Sequence, residues 1–191
     1  MNVFTALVPA LYYTLHLMLN LIGSAEYAPL QTWESKVLMA IIGFACAYDM
    51  WTSFIFHLYN SMGKHTCQKL LTIDMSGTVV VIGSTFISIA FRLFSEWSEE
   101  RKIIMGVMIP MIICNFVGIL HPAFAKESMH CSKVIMILTT LVLQLVILTI
   151  GKVYMSTPFT DEVIYPRILT GALAGALGFF FFLSRFPERS I

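Results

Sequence analysis

Long apolar stretches alternate with short polar ones along nearly the whole chain. A helix needs roughly 20 apolar residues to cross a hydrocarbon core about 30 Å thick, and about six stretches reach that length. They run from about Val3 to Gly23, Lys36 to Asn60, Leu71 to Phe94, Ile103 to Leu120, Val134 to Met155 and Val163 to Phe186. The pattern predicts an all-α membrane protein, a bundle of about six transmembrane helices forming one domain over residues 1–191.

The connections and the composition agree with this prediction. Predicted loops such as Ser61 to Lys69 and Ser95 to Lys102 are short and polar, which leaves no room for a domain outside the membrane. Apolar residues make up 58% of the chain and charged residues 12%. Soluble domains contain about 45–50% and about 25% respectively. The net charge of +1 comes without a basic block, which argues against nucleic acid as a partner.

The second predicted span carries the most informative polar residues, because ionisable groups are costly inside a membrane. Asp49, Ser53 and His57 recur every fourth residue, a spacing that places them on one face of a helix. Asp74 enters the third span shortly after the following loop, so we expect it at about the depth of His57, with Ser53 one turn further in. An imidazole beside a carboxylate suits a metal site. The alternatives are interhelical hydrogen bonding for the stripe and an ordinary first-turn acid for Asp74.

Three motifs resemble the progestin and adipoQ receptor family, which includes haemolysin III-like proteins. They are Ser53-Phe54-Ile55-Phe56-His57, Leu71-Thr72-Ile73-Asp74-Met75-Ser76-Gly77 and Ile82-Gly83-Ser84. That family has seven transmembrane helices, a Ser-x3-His pattern ending the second, an Asp opening the third and a His-x3-His pattern in the seventh. Its three histidines bind zinc. Pro187-Glu188-Arg189 is similar to the turn that precedes the family's last helix.

Two departures from the family pattern shape the expected function. The sequence ends at Ser190-Ile191, where the seventh helix would begin, so two of three expected zinc ligands are missing. At the other end Asn2 fits the family's first motif, but Ala6 stands where that motif has a histidine. We therefore expect a partial zinc site.

The resemblance implies zinc-assisted hydrolysis of a lipid amide such as ceramide, coupled in some members to ligand sensing. It assigns His57 as a metal ligand, Asp74 as the residue that holds or activates the zinc-bound water, and Ser53 as a neighbour of the metal. His121 is either a substitute ligand or an ordinary histidine at a helix end. Because a catalytic zinc normally keeps three protein ligands, we expect weak zinc binding and little or no hydrolysis. Whether the chain is an enzyme stays open.

The implied function is that of a receptor-type, multi-pass membrane protein whose partners are membrane lipids and a sphingolipid or steroid-like ligand. A non-catalytic scaffold or lipid-binding protein and a small transporter are the alternatives. Plasma membrane and endomembranes are not distinguished. The resemblance places the loops Ser61 to Lys69 and Pro122 to Lys133 and the C-terminus on the cytosolic side.

Other residues have structural interpretations. Cys67 and Cys131 are predicted to lie in loops, each after a histidine, where a metal site or a disulfide is the less favoured alternative to free thiols. Asn115 and Gln144 are expected to form hydrogen bonds between helices. The sixth span carries a face of small residues that would allow close packing against a helix, including one of another chain: Gly171, Ala174, Gly175 and Gly178.

Overall fold

The structure is a computed structural model that describes residues 3–22, 33–59, 61–94, 98–122 and 130–155, together with 165, 166, 169, 170 and 173. Over these residues the chain forms helices and short turns, with no β-strand. The long helices are α1 (Val3–Ile22), α2 (Trp33–Tyr59), α3 (Lys64–Leu93), α4 (Ser98–Leu120) and α5 (His130–Met155). The predicted all-α membrane bundle is confirmed.

Three of the described helices are long and apolar enough to cross a membrane, and they lie within α2, α3 and α4. Helices α1 and α5 contribute the shorter apolar stretches Thr5–Leu19 and Ile135–Gly151. Most of the sixth predicted span, Val163 to Phe186, lies outside the described residues, as do Gly171, Ala174, Gly175 and Gly178. The predicted number of about six spans therefore stays a prediction.

Helices α2 to α5 begin earlier than the apolar runs that predicted them. Helix α3 starts at Lys64 and not at Leu71, so the predicted loop from Ser61 to Lys69 shrinks to residues 61–63. Cys67 consequently lies in the first turn of α3, and Cys131 is the second residue of α5. The prediction that both cysteines lie in loops is wrong, because polar residues at a helix end continue the helix beyond the hydrocarbon layer.

Gly63 makes the tight connection between α2 and α3 possible. Its φ of +118° lies in a region that glycine adopts without the steric cost paid by other residues. The amide N–H of Cys67 donates to the carbonyl of Gly63 at 2.9 Å, so the helical hydrogen bonds of α3 begin at this glycine. The reversal brings α2 and α3 together as antiparallel neighbours.

Burial in the bundle follows the pattern of membrane proteins, in which small residues allow helices to approach closely. Helix α3 packs against both α2 and α4, and it buries Ser76, Ser84 and Ser88. Large apolar side chains instead point outward on α4, where Ile103 is 68% exposed. Hydrocarbon solvates such side chains well, so their exposure costs little in a bilayer.

Two polar side chains tie α5 to its neighbours. Asn115 of α4 donates to the hydroxyl of Thr140. The amide of Gln144 donates to the backbone carbonyl of Ile82 in α3 at 3.2 Å. The expected interhelical hydrogen bonds of Asn115 and Gln144 are confirmed.

The contacts within the chain divide it into two compact units, residues 1–146 and residues 147–191. The predicted site residues and the contacts described below all belong to the first unit. In the second unit, Thr170 donates from its hydroxyl to the carbonyl of Pro166 at 2.7 Å, a bond of one helical turn.

Candidate functional site

The polar stripe of α2 lies on uninterrupted helix, as its four-residue spacing predicted. Asp49, Ser53 and His57 fall within α2 and are all half-buried. Each step of four residues advances about 6 Å along the axis, so the stripe covers about 12 Å of one face. Its three side chains thus lie at three different depths.

Asp74 meets this stripe at Ser53. The hydroxyl of Ser53 lies close enough to the Asp74 carboxylate to interact with it. Because α3 begins at Lys64, Asp74 is ten residues into the helix, deeper than a first-turn acid would be. Asp74 therefore lies level with Ser53, and His57 is one turn closer to the end of α2.

A second carboxylate extends the site away from His57. The hydroxyl of Thr78 donates to Oδ1 of Asp49 at 3.5 Å, and the carboxylates of Asp49 and Asp74 are close enough to interact electrostatically. Thr78 follows Asp74 by four residues and so shares its face of α3. The site thus contains two acidic and two hydroxyl side chains between α2 and α3. Sequence reasoning missed Thr78, although the Asp74-x3-Thr78 spacing was its signal.

Gly77 lets the two helices approach closely at this point. A methyl group built on Gly77 would lie 2.7 Å from Oδ1 of Asp49 and 2.8 Å from both Cα of Asp49 and Oγ1 of Thr52. These distances are shorter than van der Waals contact, so only a hydrogen atom fits here. The lack of a side chain at Gly77 therefore allows α3 to lie directly against the backbone of α2 beside Asp49.

Hydroxyl groups on both sides of Gly77 have hydrogen-bond partners. The hydroxyls of Tyr48 and Ser76 lie 3.1 Å apart, and Ser76 also donates to the carbonyl of Ile73 at 2.6 Å. Because the hydroxyl hydrogen of Ser76 is donated to the carbonyl of Ile73, the Tyr48 hydroxyl is the donor to the Ser76 oxygen. Thr52 donates to the carbonyl of Asp49 at 2.9 Å. The Tyr48–Ser76 bond couples α2 to α3 next to the site.

Replacing Tyr48 by phenylalanine removes this interhelical donor and little else. We expect a loss of about 0.6 kcal/mol of stability, and at most ~1.7 kcal/mol, the range found for hydrogen bonds between membrane helices. Tyr59→Phe is the matched control, since Tyr59 is 43% exposed at the end of α2. Unfolding of both variants in mixed detergent micelles measures the difference. Equal stability of the two variants would show that the Tyr48–Ser76 bond contributes nothing.

His57 and His121 do not complete a metal site with these carboxylates in the part of the chain that the structure describes. The ring of His57 lies 5.1 Å from the ring of Phe56, and His121 is exposed just after α4. Across the described residues, no three His, Cys, Asp or Glu side chains come together as ligands for one ion. Catalytic zinc normally has three protein ligands, so the described donors alone do not fit that ion.

Comparison with known protein families shows which family the chain belongs to. The model of haemolysin-III related proteins matches residues 1–191. The chain belongs to this family. The sequence match and the apolar helices together indicate an integral membrane protein of the haemolysin III family.

Two curated proteins resemble the chain at low identity. Both are named progestin and adipoQ receptor family member 3, one from Mus musculus and one from Homo sapiens. Each is 23% identical over 160 residues, which cover 82% of this chain and 51% of the relative. The chain thus spans about half the length of these relatives, and the predicted resemblance to this receptor family is confirmed.

Proposed function

We propose that the chain is a receptor-type, multi-pass member of the haemolysin III family whose α2–α3 site has weak metal binding and little hydrolytic activity. The observation that carries this proposal is the position of Asp74 beside Ser53 between the two helices. Both residues match positions that the family motif assigns to zinc-dependent hydrolysis. The matching histidine, His57, lies on the same face of α2, one turn away.

The chemistry of these side chains supports sensing more than catalysis. Asp74 is an acceptor that can orient a water molecule or a hydroxyl or amide group of a ligand, and Ser53 lies beside that carboxylate. Lowering the pKa of a bound water to about 7 takes a metal ion fixed by about three protein ligands. His57 offers one imidazole, whereas a catalytic zinc site needs about three protein ligands. We therefore propose binding of a sphingolipid or steroid-like ligand without efficient turnover of an amide bond.

Zinc content and ceramide hydrolysis of the purified chain test this proposal. We expect substoichiometric zinc after dialysis and hydrolysis close to that of an empty detergent control. His57→Ala should change neither quantity measurably, while far-UV circular dichroism confirms that the variant is folded. Stoichiometric zinc with turnover in the unaltered chain, both abolished by His57→Ala, would overturn the proposal.

Ligand binding gives the second arm of the test. If Ser53 and Asp74 hold a ligand, Asp74→Asn should weaken the binding of a photoactivatable ceramide by at least about tenfold, since a hydrogen bond to a charged group contributes about 1.5–3 kcal/mol. Glu100→Gln is the matched control, because Glu100 lies exposed in the first turn of α4. Equal labelling of both variants would show that Asp74 takes no part in ligand binding.

A further inference from the structure

A groove between α2 and α3 lies beyond the polar site and takes no part in it. Its volume is about 350 Å³. The residues that line it are Val37, Ala40, Ile41, Phe44 and Ala45 of α2 and Val80 and Ser84 of α3. The Ser84 hydroxyl donates to the carbonyl of Val81 at 3.0 Å, so its hydrogen is already used within α3. The groove therefore presents an apolar surface.

The position of the groove along α2 matches one leaflet of a bilayer. Trp33 begins α2 and is 77% exposed, as is typical of tryptophans at the membrane–water interface. From Val37 to Ala45 the helix rises about 12 Å, close to the half-thickness of a hydrocarbon core. With Trp33 at the interface, the groove would run from just below the headgroup level towards the middle of the membrane. Phe44, one of its lining residues, is 62% exposed to the surroundings.

Basic side chains lie at the headgroup end of the groove. Lys36 is exposed one helical turn before Ala40, and Arg92 is exposed near the end of the antiparallel α3. Glu34 precedes Lys36 by two residues, so it points about 200° away around the helix axis.

Two further basic residues of this end already have partners. The guanidinium of Arg101 stacks on the ring of Phe91 at 4.4 Å. The ammonium of Lys102 contacts Glu99 at 2.7 Å. Lys36 and Arg92 are accordingly the residues best placed to meet an anionic headgroup.

We infer that this groove is a binding site for an anionic glycerophospholipid, with one acyl chain between α2 and α3 and the phosphate at Lys36 and Arg92. An acyl chain matches the apolar lining and the depth of the groove, and the phosphate matches the charge at its end. The inference goes beyond the proposed function and does not depend on Ser53, His57 or Asp74.

Photolabelling of the full chain in phosphatidylcholine nanodiscs tests this inference. The probe is phosphatidylglycerol with a diazirine in its acyl chain, and labelled peptides are mapped by mass spectrometry. We expect labelling of the peptide around residues 37–45 to exceed that around Val107, which is 57% exposed on α4. Ala40→Phe, which fills the groove, should remove this excess, whereas Val107→Phe should leave it unchanged. If Ala40→Phe does not fold, Ile41→Trp also fills the groove and should likewise remove the excess labelling.

The headgroup is tested separately. Lys36→Gln and Arg92→Gln should each lower the labelling by phosphatidylglycerol by about fivefold, and neither should affect an uncharged diacylglycerol probe. Lys102→Gln is the control.

Two outcomes would overturn the inference: equal labelling of the groove and of α4, or no effect of the filled groove. Neither of these outcomes bears on zinc content or ceramide hydrolysis, so the proposed function is judged independently.

Discussion

Gly77→Ala is expected to destabilise the chain by about 1–3 kcal/mol, the usual cost of overpacking a well-packed contact. The added methyl group would lie 2.8 Å from the Cα of Asp49 and 2.7 Å from its carboxylate oxygen. A flexible side chain could move away from such a contact, but the backbone of α2 moves only if the two helices separate. The hydrogen bond from Thr78 to Asp49 would lengthen, and Ser53 would move away from Asp74.

Gly106→Ala is the matched control, since a methyl group at Gly106 would meet no atom within 4 Å. Gly106 also lies inside a helix, in α4, so alanine there tests helix propensity without a clash. Unfolding in mixed detergent micelles gives the stability of both variants. If Gly77→Ala is as stable as Gly106→Ala, the close approach of α3 to α2 does not contribute to stability.

A chain extended by a helix that carries two histidines four residues apart is expected to bind about one zinc ion, because three imidazoles then match a catalytic zinc site. The unextended chain should bind far less. The same extension is expected to raise ceramide hydrolysis above background, because Asp74 and Ser53 already lie beside each other between α2 and α3. Zinc content by mass spectrometry and product release measure the two effects.

Two controls make the extension informative. The same helix with both histidines replaced by alanine should bind no more zinc than the unextended chain. His57→Ala in the extended chain should lower zinc binding by at least tenfold, in line with the loss of one of three ligands. Zinc retained after His57→Ala would show that the family's assignment of His57 does not apply to this chain.

The sequence by itself determined the class of protein and most of its helices. The thickness of a bilayer sets the length of an apolar run, so the runs predicted helices that the structure describes as α1 to α5. Family membership was likewise visible in the motifs around His57 and Asp74, because they are contiguous in the chain. Ser53 and His57 could be placed on one helix face, since that depends only on the pitch of the helix.

Only the tertiary structure decided which of these residues meet. The depth of Asp74 depends on where α3 begins, and its polar first turn had been predicted as a loop. The approach of Asp49 to Thr78 depends on how closely two helices pack, which Gly77 allows and which no local pattern reveals. Apolar periodicity indicates which face of a single helix contacts lipid. Pairing between helices depends instead on side-chain size and on hydrogen bonds across the interface. Such bonds join residues that are distant in sequence: Asn115 and Thr140 are 25 positions apart, and Asp49 and Thr78 are 29 positions apart.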